Sequence, residues 1–200
     1  MKNLFVFLVC MVCFTIAAQA QEHHQPQLLK QPANWEFERF PLPPAFAQGI
    51  TYKGAEELRF APGMFNKDSA NYFTYVFVVQ LDNVTAISQT DVRDYLLKYY
   101  KGLCSVTAKD RKLVIDTTQI TVAVEKKKNM AVHEAIYNAS MNIFGVFTDG
   151  APLKINLEVK VLEAAPSKKT YLMVIVSPRQ KTDDIWKTLY EIQTNFKIPG

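Results

Sequence analysis

Residues Asn71–Gly102 read NYFTYVFVVQLDNVTAISQTDVRDYLLKYYKG, and the fold turns on where the periodicity changes inside them. From Asn71 to Leu81, aromatic and β-branched residues follow one another almost without a break, the composition of a strand. After Ser88 the period lengthens. Val92, Tyr95, Leu96 and Tyr99 recur at i, i+3, i+4 and i+7, the stripe of an amphipathic helix. Ser88, Thr90 and Asp91 supply N-terminal capping groups, and Gly102 is expected to close the helix at the position glycine favours.

Downstream, the pattern predicts four more strands. Thr118–Glu125 runs into Lys126–Lys128, read as a solvated turn. Glu134–Val146 carries a helical phase through Val132, Ile136, Ala139 and Ile143. It also alternates through Ala135, Tyr137, Ala139, Met141 and Ile143. The strand reading is preferred because Thr148-Asp149-Gly150-Ala151-Pro152 has the composition of a hairpin loop. That loop leads into Leu153–Leu162, where Ile155, Leu157, Val159 and Val161 alternate with polar residues. Tyr171–Ser177 (YLMVIVS) is apolar on both faces and is expected in the middle of a sheet. A last helix begins at Thr182, with Asp183 and Asp184 at the positive end of its dipole. Ile185, Leu189, Ile192 and Phe196 form its stripe, Trp186 widens it against the sheet, and Pro199 stops it.

Upstream, Asn34–Gly49 (NWEFERFPLPPAFAQG) combines aromatics with three prolines. Trp35, Phe37 and Arg39 alternate with Glu36, Glu38 and Phe40, so a short strand is expected with Trp35 and Phe37 turned inward and the two glutamates to water. Pro41, Pro43 and Pro44 remove backbone donors, which restricts this segment to a sheet edge. Ile50–Phe60 follows and ends in a Pro62-Gly63 turn. Strands, helix, four strands, helix is the order of an α+β domain, here an antiparallel sheet of about five to seven strands with two main helices.

The closing segment Tyr171–Ile198 (YLMVIVSPRQKTDDIWKTLYEIQTNFKI) resembles the final strand and helix of PsbP-like domains, with an aromatic-led strand, a proline and a helix ending in a polar-Phe-Lys sequence. The likeness covers the C-terminal half and is one of pattern. ERFPLPPAF and ELRFAPGMF in the N-terminal half depart from it. More broadly, the chain is similar to secreted proteins of Gram-negative bacteria. PsbP-like folds host unrelated roles, so the resemblance implies a fold and no site residue.

Residues 1–20 have the layout of a signal peptide. Lys2 is the positive n-region, Leu4–Ile16 is an apolar run of 13 residues, and Ala18-Gln19-Ala20 is the small-x-small pattern that signal peptidases cut. The run is too short to cross a hydrocarbon core of ~30 Å, and no second run of about 18 apolar residues follows, so no membrane span is expected. Val9 and Val12 directly precede Cys10 and Cys13, which argues against a lipid anchor. A secreted or periplasmic location is expected. Cleavage would leave 180 residues with a net charge of +3, too mild to point to nucleic acid. Cys104 would then be the sole cysteine, so no intrachain disulfide can form and burial must stabilise the core. Gln21–Ala33 (QEHHQPQLLKQPA) reads as a polar disordered tail, and residues 34–200 as a single α+β domain.

Motifs for catalysis are missing. There is no G-x-S-x-G, no H-E-x-x-H, no glycine-rich phosphate loop, and no C-x-x-C after the leader. His23, His24 and His133 suggest no Ser-His-Asp or Cys-His grouping. Glu56-Glu57 reads as a solvated turn, Asp183-Asp184 as a helix cap, and Cys104 as a buried structural thiol. The sequons at Asn83 and Asn138 matter only in a eukaryotic secretory route. No catalytic residue and no cofactor is assigned. Cleavage after Ala20 would expose Gln21-Glu22-His23, whose amine, two amides and imidazole form a nitrogen set for Cu(II) or Ni(II).

The aromatics near the prolines admit two readings. Trp35, Phe37 and Phe40 wrap the sheet edge and stabilise the core. Alternatively they form the lip of a ligand cleft, joined by Phe46, Tyr52 and Phe60. The expected function is a non-enzymatic binding domain whose partner is a small apolar ligand or a protein surface. Its rivals are a hydrolase assembled from distant residues and a structural component of the cell envelope.

Overall fold

The computed structural model describes residues 27–127, 134–164 and 167–199. Among them, seven strands form one antiparallel sheet: β1 (Glu36–Leu42), β2 (Gly54–Phe60), β3 (Tyr75–Asp82), β4 (Thr121–Lys126), β5 (Glu134–Phe144), β6 (Pro152–Ala164) and β7 (Lys169–Ser177). Helix α1 (Gln89–Asp110) joins β3 to β4 through a short 3-10 turn at Thr117–Gln119, and α2 (Asp184–Asn195) follows β7. The order across the sheet is β1-β2-β3-β7-β6-β5-β4. The chain thus lays down a three-stranded meander, crosses with α1 to the far edge, and returns inward strand by strand until β7 fills the centre.

Side chains alternate across each strand, so the sheet buries two separate layers. On one face Tyr75, Phe77, Val79 and Leu81 of β3 meet Leu172, Val174 and Val176 of β7 beneath α1. On the other, Val76, Val78, Met173 and Ile175 meet Trp186, Leu189, Ile192 and Phe196 of α2 and its exit. β7 is buried on both sides because helices cover both, which is why its sequence lacks polar alternation. β5 is a strand, with Tyr137, Ala139, Met141 and Ile143 on the covered face. Its eleven residues pair in continuous register with β6, and that long ladder outweighs the local helical phase.

Among the strands, two shifted boundaries have a visible cause. β3 begins at Tyr75, because Asn71–Phe73 lie in turns and Phe73 takes a positive φ of 51°. The first residues of the expected Thr118–Glu125 strand form the 3-10 turn, capped by Asp116.

Helix α1 opens as expected on Ser88, whose hydroxyl accepts from Asp91 N while Asp91 accepts from Ser88 N, a reciprocal cap. It does not end at Gly102. The stripe runs on through Cys104 and Ala108 to Asp110, giving 22 residues. Gly102 serves close approach instead. A Cβ there would stand 2.2 Å from the backbone oxygen of Phe46. Its bareness lets the Pro44–Ile50 turn lie directly on the helix.

The N-terminal segment also departs from the disordered tail expected for residues 21–33. Leu28 and Leu29 are buried in the α2-side layer. Leu29 N donates to Glu57 Oε2 at 2.8 Å, and Arg59 donates from Nε to Leu29 O at 3.2 Å and from Nη1 to Trp35 O at 3.1 Å. Glu57 also stands 3.0 Å from Arg39 Nη1 as an ion pair rather than an aligned hydrogen bond. Residues 27–35 are therefore a strap fastened to β2.

The same geometry corrects the reading of Phe37. Trp35, Phe37 and Arg39 share one side of the chain as expected, but Trp35 alone is covered. Phe37 is 44% exposed, with the Arg59 guanidinium 4.5 Å from its ring centre. Trp35→Ala should therefore destabilise by about 3 kcal/mol, as for a buried aromatic. Phe37→Ala should stay within roughly 1 kcal/mol, the range of an exposed cation–π contact. Paired thermal melts of the two variants check this ordering.

Candidate functional site

An apolar pocket of about 210 Å³ opens at one end of the sheet on the α1 side. Its floor is Leu58 and Phe60 of β2 with Tyr75 of β3, and one wall is Tyr99 and Leu103 of α1. Three connections complete it. The Pro44–Ile50 turn brings Phe46 edge-on to Tyr99 at 5.0 Å and to Phe40 of β1 at 5.9 Å. The β2–β3 connection supplies Met64 and Phe65, and the β5–β6 turn supplies Phe147, 5.3 Å from Phe65. Phe65 is 45% exposed, so the apolar lining continues to the mouth.

Little polarity is left inside. The Tyr99 hydroxyl donates to Glu56 Oε1 at 2.8 Å, and the Tyr75 hydroxyl is spent on Tyr100. Glu38 of β1 supplies the carboxylate of the lining. It pairs across the ladder with Leu58 and so shares its face, so one of the two glutamates expected to point at water stands at the rim of an apolar site.

Behind Tyr99 lies Glu56, fully buried. Tyr95 donates to its other oxygen at 3.1 Å. Desolvation by burial pushes its pKa up from 4.5 to about 8, opposed by the two tyrosine hydrogen bonds and assisted by Glu38. Glu56 and Glu57 are thus not a solvated turn. They are adjacent residues of β2 facing opposite layers, one among tyrosines and the other holding the strap.

Of the aromatics singled out from sequence, Phe40, Phe46 and Phe60 meet in this pocket. Tyr52 packs near it on Tyr95, with centroids 6.4 Å apart, while Trp35 and Phe37 lie on the opposite face of the sheet. Phe65, Phe147 and Leu103 were missed. They come from three remote segments, and only the closing of the sheet brings them together. Cys104 is buried beneath the pocket's helix wall, with burial raising its thiol to about 11. Gln21, Glu22 and His23, the expected metal set, lie outside the described residues, as do His24 and His133. Among the described residues no group of three or more His, Cys, Asp or Glu is placed to hold a metal ion.

A second polar cluster sits on the α2 side. Glu158 of β6 is buried, with Lys127 Nζ at 2.7 Å and Lys181 Nζ at 3.9 Å. Lys127 is therefore both exposed and paired. Lys181 also donates to Asn138 at 2.6 Å and lies over the Trp186 ring. The cluster satisfies its own charges and hydrogen bonds, the mark of a structural element.

No protein-family model matches the chain, and no curated protein matches it. No helix among the described residues is long and apolar enough to cross a membrane.

Proposed function

We propose that this protein is a secreted or periplasmic binding domain that holds a small apolar ligand between the β1–β3 end of the sheet and α1. The observation that carries the reading is the pocket's composition. Apart from Glu38 at the rim it is lined by aromatic and aliphatic side chains, and the hydroxyls of its two tyrosines are already engaged. Such a site attracts apolar surface and has few groups with which to do chemistry. A volume of about 210 Å³ is somewhat larger than the roughly 150 Å³ cavities that take up benzene, which suits one aromatic ring or a short chain.

The test is titration with 2-phenylethanol followed by NMR. Saturable shifts are expected for Phe46, Leu103 and Phe147. Leu103 is half-buried, so Leu103→Trp should fill the pocket while leaving the melting temperature within a few degrees. Binding should then vanish. No saturable binding, or binding unchanged in a folded Leu103→Trp protein, would remove the pocket as the site.

A further inference from the structure

We infer that the ligand of this pocket carries a cationic head beside its apolar body, an ammonium group that settles at the mouth against Glu38. The inference rests on the pocket being a binding site and adds the chemical class of what enters it. The β1–β2 register puts Glu36 opposite Phe60 and Glu38 opposite Leu58, so both carboxylates stand on the pocket's face of the edge strand. Both are exposed, and neither has a hydrogen-bond or ion-pair partner among the described residues.

Two cations near these glutamates are committed elsewhere. Arg39, which follows Glu38 in the chain, points to the opposite face and stands against Glu57. Lys67, on the same connection as Phe65, is paired with Asp149 at 2.5 Å. The site therefore combines an apolar interior with an unmatched negative rim, which selects an amphiphile of the opposite charge and rejects an anionic one.

Three probes with one aromatic body separate the claims at pH 7: 2-phenylethylamine, 2-phenylethanol and 3-phenylpropanoate. The amine should bind about three- to fivefold more tightly than the alcohol, the scale of an exposed ion pair, and the carboxylate least well. Glu38→Gln should bring the amine and alcohol affinities together, chiefly by weakening the amine. Raising the salt concentration should narrow the wild-type gap in the same way. Equal binding of amine and alcohol by the wild type would overturn the inference, as would an amine preference that survives Glu38→Gln. In either case the pocket would still stand as a binding site. Failure of all three probes to bind would remove the pocket and the inference together.

Discussion

Replacing Glu56 with glutamine should raise stability at pH 8 and flatten its dependence on pH between about 4.5 and 8. The cause is burial. In the unfolded chain this carboxyl ionises near its ordinary value of 4.5, but in the folded protein it keeps its proton until about 8. Below the first value both states are protonated and folding carries no penalty. Between the two, the unfolded state gains by ionising and the folded state does not, so stability falls as pH rises. Above about 8 both are ionised and the loss is complete. A difference between 4.5 and 8 corresponds to a loss on the order of 5 kcal/mol. Glutamine keeps the shape, can accept from one tyrosine and donate to the other, and does not titrate. Denaturant melts of both proteins at pH 5 and pH 8 measure the effect. Parallel curves for wild type and variant would show that Glu56 does not titrate in this window.

The second large effect is at Trp186. Its side chain is fully buried in the α2-side layer, and Nε1 donates to the Arg179 carbonyl at 2.9 Å. That bond ties the first turn of α2 to the bend leaving β7, so the residue both fills the layer and sets the helix's approach. Trp186→Ala should destabilise by about 4 kcal/mol, from lost burial and the cavity left behind. For a domain of this size that lowers the melting temperature by roughly 10 °C. Trp186→Phe should recover part of the loss but not the hydrogen bond. A melting temperature unchanged in Trp186→Ala would mean that α2 does not seal this face.

The strands and helices were legible because their signals are local. The alternation in Leu153–Leu162, the unbroken apolar run in Tyr171–Ser177 and the 3.6-residue stripe after Ser88 each report a burial pattern their own residues create. The misread positions depend on partners far along the chain. Glycine late in a helical stripe resembles a terminator, and nothing near Gly102 says that the Phe46 backbone will lie against it. Two adjacent glutamates look solvated until Tyr95 and Tyr99 arrive from α1 for one and Leu29 and Arg39 for the other. Three of the pocket's aromatics, Phe40, Phe46 and Phe60, were singled out from the sequence. Phe65 lies just past the Pro62-Gly63 turn and went unread although it is near Phe60 in sequence, whereas Leu103 and Phe147 join only in the finished fold.

The place of β7 has a consequence for the order of assembly. The two meanders, β1–β3 and β4–β6, are each built from neighbours in sequence and can pair early, since short loops close quickly. Joining them needs β7, which follows every other strand in the chain and hydrogen-bonds to β3 on one side and β6 on the other. Until it inserts, β3 and β6 are open edges with apolar side chains, the surfaces on which unfinished chains stick to one another. The sheet therefore closes only once β7 has emerged and joined the two halves. A nascent chain lacking its last strand consists of two unsealed halves, and its solubility depends on how long they remain apart.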